Sequence, residues 1–314
     1  MTDRNGPGDL YDPRNGDEPI RLGRWEIDGE PSEPARTNEF AIYLVESGSG
    51  IFWADASTFP FGPGSLLCFV PYQHLRFVPE GRVRGQVVRF HANFLCVETF
   101  HAEVGCSGAL FNDPYGPPSV ELDDATKAEV AGLLDRLRRE DARRDLAYGE
   151  AMLALLKVVL ILATRIKASR AGACGPDAAT AARHPILAEL RALIEEHYRT
   201  IHSPAEYAKR LHVTPKTLGR LVREHFGTTP TDLIRSRILI HAKWQLLHTL
   251  KPVKEVAREV GFGDELYFSR LFKKATGYSP TFFRAFETEI RGGSNLSMSS
   301  AEAPILPPAE SPDT

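Results

Sequence analysis

The chain has 314 residues, a formal net charge of −3 and 42% hydrophobic residues, which is enough material for two domains, each with its own core. No apolar run is long enough to span a bilayer, because the longest, 151–163, is broken by Lys157. Cys68, Cys96, Cys106 and Cys174 show neither metal nor disulfide spacing, which argues against a disulfide-stapled secreted scaffold and for reduced thiols in a cytoplasm.

Residues 1–20 are rich in Asp, Gly, Pro and Arg. They read as a disordered tail, and the absence of an apolar stretch in 1–16 argues against a signal peptide. From 21 to 111, short apolar runs at 40–45, 50–54, 65–70 and 85–91 are punctuated by Gly and Pro, which predicts strands. Spaced hairpins of this kind suggest a small antiparallel barrel or jelly roll.

Two helices follow, over 122–144 and 150–168. The first collects Val130, Leu133, Leu134 and Leu137 on one side. The second is apolar nearly all round and has to be covered on most faces, by the barrel and the first helix or by a second chain. Residues 171–184 carry Gly, Pro and alanines without apolar periodicity and read as a linker between a domain at 21–170 and one at 185–291.

In the second domain, Ser203 and Glu206 match a capping box, Pro204 takes the first helical position, and 212–214 makes a turn. A second helix then opens at Pro215, runs to Phe226 and stops at Gly227, so 203–227 is a helix-turn-helix unit. Thr229 and Pro230 start a long helix through about 247, with Leu233, Ile234, Ile238, Ala242 and Leu246 on one apolar face. A second unit spans 252–277: Pro252 is expected at the first position of a short helix, and Gly261 and Gly263 interrupt it. Asp264 caps a helix that ends before Gly277. Ala208 with Ala257, Arg220 with Arg270, Gly227 with Gly277 and Pro230 with Pro280 pair at offsets of 49, 50, 50 and 50, so one unit occurs twice.

On the second helix of the later unit, Tyr267, Phe268, Leu271 and Phe272 are expected to be buried. Glu265, Leu266, Arg270 and Lys273 then share the opposite face, with Lys274 beside them. On the earlier unit Lys216, Arg220 and Arg223 share a face, and Thr217 joins the candidate DNA contacts. Arginines can pair bidentately with guanine, and Leu266 can touch apolar base edges. Lys216, Arg223, Lys273 and Lys274 suit phosphate. Charge follows this division: 1–182 holds 19 Lys+Arg against 26 Asp+Glu, whereas 183–290 holds 18 against 12. The basic half is the one that would meet phosphates.

The region 187–290 resembles the two-unit DNA-binding domain of the AraC/XylS-type bacterial transcription regulators. The likeness rests on Leu218, Arg220 and Leu221, then Arg237, Ala242, Leu246 and Leu247, then Ala257, Gly261, Phe262, Tyr267, Phe268, Ser269, Arg270, Phe272, Lys273, Gly277, Pro280 and Arg284. Leu266 departs from the family, which usually has a small polar residue there. The resemblance implies an α+β multidomain protein: an N-terminal cupin-like antiparallel β-barrel with a helical pair, then an all-α double helix-turn-helix domain. It also implies double-stranded DNA, RNA polymerase and a small-molecule effector as partners, and a homodimer whose seam is Val130, Leu133, Leu134 and Leu137.

Arg36, Trp53, His74 and Arg89 are the candidate effector-pocket residues, since a barrel interior needs few polar groups. His74, His91 and His101 are single histidines without the paired His and following Glu of metal-binding cupins, so neither metal nor cofactor is expected. No catalysis is expected either. The competing readings are a cupin-type enzyme with a DNA-binding tail, and a regulator whose barrel binds a protein coregulator. Residues 292–314, rich in Ser, Pro and Glu, read as a disordered tail.

Overall fold

The computed structural model describes residues 10–97, 110–111, 113–170 and 185–292. His101, Cys106, Cys174, the expected linker at 171–184 and the tail from 293 lie outside the described residues. Eight strands follow a short 3-10 turn at Pro13–Asn15: β1 Ile20–Asp28, β2 Phe40–Ser47, β3 Gly50–Ala54, β4 Ser57–Phe61, β5 Ser65–Phe69, β6 Leu75–Pro79, β7 Arg82–Phe90 and β8 Ser119–Glu121. They form two antiparallel sheets, ordered β1-β7-β2-β5-β8 and β4-β3-β6.

The pleat sorts the side chains of β2 between two cores. Tyr43 and Val45 face the second sheet, where Trp25, Phe52, Phe61, Phe69 and Phe77 fill the space between the sheets. Phe40, Ile42 and Leu44 face the opposite way, against the helical pair α1 Asp124–Arg143 and α2 Tyr148–Arg170. Strands β1, β4, β6 and β8 add to the four expected from sequence. Outward Arg21, Arg24 and Glu26 conceal β1, and Arg24 pairs with Glu46 of β2 at 2.7 Å.

Two expectations change here. Leu10 onward is packed: Tyr11 is buried, its N–H donates to Asn38 Oδ1 at 2.7 Å, and Arg14 pairs with Glu289. Val130, Leu134 and Leu137 of α1 are at most 1% exposed within the chain's own core, with the half-buried Leu133 packed against them. An amphipathic stripe shows that a face is covered but not by what, and here α2 and the sheet cover it, so this stripe is not free to form a dimer seam. On α2 itself the outer face is incompletely covered, with Val158 40% exposed.

The second domain is α3 Pro185–His197, α4 Pro204–Arg210, α5 Pro215–Phe226, α6 Pro230–His248, α7 Val253–Glu259, α8 Glu265–Thr276 and α9 Pro280–Arg291. The two helix-turn-helix units are α4–α5 and α7–α8. His212 (φ +54°) and Gly261 (φ +96°) hold the equivalent left-handed turn position of each. A side chain at 261 would collide with the Arg199 carbonyl oxygen, which restricts the second turn to glycine. Two caps differ from expectation. The Ser203 side chain makes no capping bond, and only its carbonyl receives the Glu206 N–H. Pro252 is the N-cap residue, so the first helical residue of α7 is Val253.

Candidate nucleic-acid interface and interdomain cavity

Helix α5 is stopped and started by local chemistry. Thr214 Oγ1 accepts from the Thr217 N–H at 3.1 Å, and Gly227 ends the helix at φ +65°. Leu218, Leu221, Val222 and Phe226 bury one face, which leaves Lys216, Arg220 and Arg223 exposed on the other. Thr217 is half-buried, and its hydroxyl is shared with that of Thr214 at 2.9 Å. Arg220 is already engaged: its Nη1 reaches both carboxylate oxygens of Glu224 at 3.0 Å. The spacing of four residues was visible in the sequence.

Helix α8 is capped by Asp264, whose Oδ1 accepts from the Leu266 N–H at 2.8 Å, and ends at Gly277 (φ +87°). Phe268, Phe272 and Thr276 are buried. Glu265, Leu266, Arg270, Lys273 and Lys274 are all exposed, Leu266 by 66%. Tyr267 was expected in the buried stripe but is 50% exposed, because it sits at the margin of that stripe with its ring 5.7 Å from Phe262.

Helix α6 spaces the two units through Leu233, Ile234, Ile238, Ala242 and Leu246, all buried. Arg237 of α6 stacks 4.3 Å over Tyr198 and donates to Glu195 at 2.7 Å, and Arg284 Nε donates to the Leu246 carbonyl at 3.0 Å. Both arginines serve the scaffold.

A buried polar seam joins α9 to the barrel. Glu287 is 1% exposed. It accepts from the Tyr72 hydroxyl, from Asn38 Nδ2 at 3.4 Å, from His91 Nε2 at 3.3 Å and from Arg291 Nε at 3.1 Å. The Asn93 N–H points at His91 Nδ1 at 3.2 Å, which leaves the Nε2 proton for Glu287. Burial opposes ionisation of Glu287, but hydrogen bonds from His91 and Tyr72 and the Arg291 charge hold it below the usual carboxylate range. Burial and the neighbouring carboxylate push the Tyr72 hydroxyl far up, so it stays a donor. Tyr72 also has φ +64°, a left-handed conformation costly for a tyrosine, and is held there with its ring 4.9 Å from Phe283 and 5.8 Å from Tyr278.

Beside this seam lies a cavity of about 820 Å³ whose walls come from the barrel mouth, α6 and α8. Arg36 and His74 line it, and so do Lys243, Arg270 and Lys274. Burial, then the Arg36 charge, holds His74 below the ordinary histidine value. Trp53 and Arg89 are not among the lining residues. Trp53 is 39% exposed on β3, the neighbour of the inward Phe52, and Arg89 is buried with Nη2 2.9 Å from the Tyr43 hydroxyl. The aromatic side chains fill the space between the sheets, so the expected pocket residues divide between the cavity (Arg36, His74) and elsewhere (Trp53, Arg89).

Two family models match the chain: an AraC-like ligand binding domain at 20–156 and a helix-turn-helix domain at 207–285. The chain is an AraC-type transcription regulator. It is 27% identical over 265 residues to the transcriptional activator RhaS of Escherichia fergusonii, covering 82% of this chain and 86% of that protein. It is also 27% identical over 253 residues to RhaS of Salmonella schwarzengrund, covering 77% and 84%. Among solved structures, ToxT from Vibrio cholerae aligns at 12% identity with a TM-score of 0.36 over 86% of this chain and 99% of that one. The C-terminal domain of AraT from Geobacillus stearothermophilus aligns at 32% identity with a TM-score of 0.32 over 32% and 84%.

In this AraC-type chain, sequence reasoning missed Tyr72, Lys243 and Glu287. Glu287 carried a signal, because it interrupts the stripe Phe283, Glu287, Ile290 on the buried face of α9. A carboxylate on an apolar stripe requires partners. Among the described residues no group of three or more His, Cys, Asp or Glu could hold a metal ion, and no helix is long and apolar enough to cross a membrane.

Proposed function

We propose that α5 and α8 enter successive major grooves on one side of a duplex, about 34 Å apart. Arg220 and Arg270 then face base edges, Leu266 an apolar edge such as a thymine methyl, and Lys216, Arg223, Lys273 and Lys274 phosphates, with Thr217 and Glu265 at the margins. The observation that carries the reading is the pair of exposed basic faces on equivalent helices, spaced by the buried α6.

The regulator works in the cytoplasm, answers a small-molecule effector and activates transcription through RNA polymerase, as the RhaS relatives are described as activators. The effector sits at Arg36 and His74 in the interdomain cavity. The chain pairs as a homodimer through Leu155, Val158 and Leu162, the incompletely covered stripe of α2. The test is a fragment spanning 185–291, which supplies all but Tyr72 and Tyr115 of the buried residues of one core. It is expected to fold and to bind duplex DNA with an affinity that falls steeply with salt. A folded fragment that binds no DNA at low salt overturns the reading.

A further inference from the structure

The helix-turn-helix unit occurs twice, but its two turns have different surroundings. His212 and Gly261 take the equivalent left-handed position. The side chain of His212 is exposed, whereas a Cβ at 261 would stand 2.1 Å from the Arg199 carbonyl oxygen and 2.6 Å from His202 Nε2. The second turn is therefore covered by the loop between α3 and α4, the segment that leads into the first unit.

That loop is held at both ends. The Tyr198 hydroxyl lies 3.0 Å from His241 Nδ1 of α6, and the Tyr207 hydroxyl of α4 donates to the Ile201 carbonyl at 3.0 Å. His202 completes the contact. Its ring centroid is 4.8 Å from that of Phe262, whose own ring is 5.8 Å from Phe268, a fully buried residue of the reading helix α8. His202 Nε2 is buried with no hydrogen-bond partner among the described residues, so what this atom contributes is packing.

We propose that His202 is a positioning residue: it keys the lead-in loop of the first unit into the turn of the second and, through Phe262, fixes the angle between α5 and α8. Helix α6 sets the distance between the units, and a second contact away from α6 resists their rotation about it. Moving two DNA elements by one base pair changes their phase by about 35° and their separation by about 3.4 Å. A contact that resists rotation is therefore read out as a preferred spacing of the two elements. This consequence for DNA rests on the paired-reader function proposed above; the contact itself does not.

Two measurements on the full chain test the key. Without DNA, spin labels at positions 216 of α5 and 273 of α8 are expected to give a narrow distance distribution in the native chain and a broader one in His202→Ala. With DNA, the affinity ratio between the selected two-element site and the same elements moved by one base pair is expected to fall about tenfold in His202→Ala. His202→Leu restores a side chain of similar size without the unpartnered nitrogen. It is expected to recover both readouts, with a melting temperature no lower than that of the native chain. Phe262→Leu, which shortens the same relay, is read in the same way should His202→Ala fail to fold.

Label distances that stay unchanged in the folded variant overturn the key. Broader distances with an unchanged spacing ratio, or an equal loss of affinity at every spacing, overturn its role in reading DNA. A native chain whose labels respond to His202→Ala but which binds no duplex keeps the contact and loses the paired-reader function. A two-element site whose spacing preference is indifferent to His202 and Phe262 keeps that function and loses this residue.

Discussion

The Tyr72 hydroxyl donates to the Glu287 carboxylate across 215 residues of sequence, from the mouth of the barrel to the last helix of the reading domain. Replacing Tyr72 with Phe keeps the ring on Phe283 but removes one donor from a buried carboxylate, a loss of about 1 to 3 kcal/mol. The expected outcome is faster amide exchange in α9 and β5 of the full chain, with protection in α4 and α5 unchanged. Unaltered exchange in α9 would remove the seam as the element that docks the two domains.

The same carboxylate sets a pH dependence. Glu287 is held below its ordinary value of 4.5, so the docked chain binds the proton less readily than the released one. Its contribution is therefore complete above about 4.5 and is lost as the pH falls through the lower, docked value. Between pH 7 and 3, the melting temperature of the native chain is expected to drop more steeply at the acid end than that of Glu287→Gln, which starts lower. Parallel curves would show that Glu287 protonation is not linked to stability.

Glu224 tests the first reading helix. Its carboxylate holds Arg220 at 3.0 Å on an exposed face, where such a pair contributes well under about 1 kcal/mol to folding. Glu224→Ala is expected to leave the melting temperature unchanged and to tighten binding to duplex DNA, because a negative charge leaves the face and Arg220 is released. Weaker binding, measured by fluorescence anisotropy at fixed salt, would show that Glu224 positions Arg220 for DNA.

The helical pair separates two seams. Leu134 is 1% exposed in the core beneath α1, so Leu134→Glu buries a charge without a partner and is expected to unfold the barrel domain. Val158 is 40% exposed on α2, and Val158→Glu is expected to give a folded monomer in sedimentation. A dimer that persists in Val158→Glu would place the interface elsewhere.

The reading domain was legible because its punctuation is local. Thr214, Asp264, Gly227 and Gly277 each act within a turn of their own position, and the repeat at 49 to 50 residues doubled every signal. The seam was not legible, because Tyr72, His91 and Asn38 meet Glu287 only through tertiary folding, and only the interrupted stripe on α9 hinted that a partner existed. The α1 stripe misled for the related reason that amphipathicity fixes a face without naming its neighbour. Trp53 was misplaced by one residue of strand alternation, since Phe52 takes the inward position.

Arg270 is the residue whose loss distinguishes base reading from charge. Arg270→Ala is expected to weaken binding to a preferred site by about 1 to 3 kcal/mol while barely changing binding to random duplex. Equal losses on both would assign Arg270 to phosphate.

The most direct measurement is selection by the full chain from a pool of random duplex DNA. Two equivalent reading helices spaced by α6 predict an enriched site with two short conserved elements about 10 to 10.5 base pairs apart, centre to centre. Repeating the selection with Arg270→Ala is expected to erase one element and keep the other. A pool that stays random, or enriches a single element indifferent to Arg270, would contradict the assignment of α5 and α8 as paired readers.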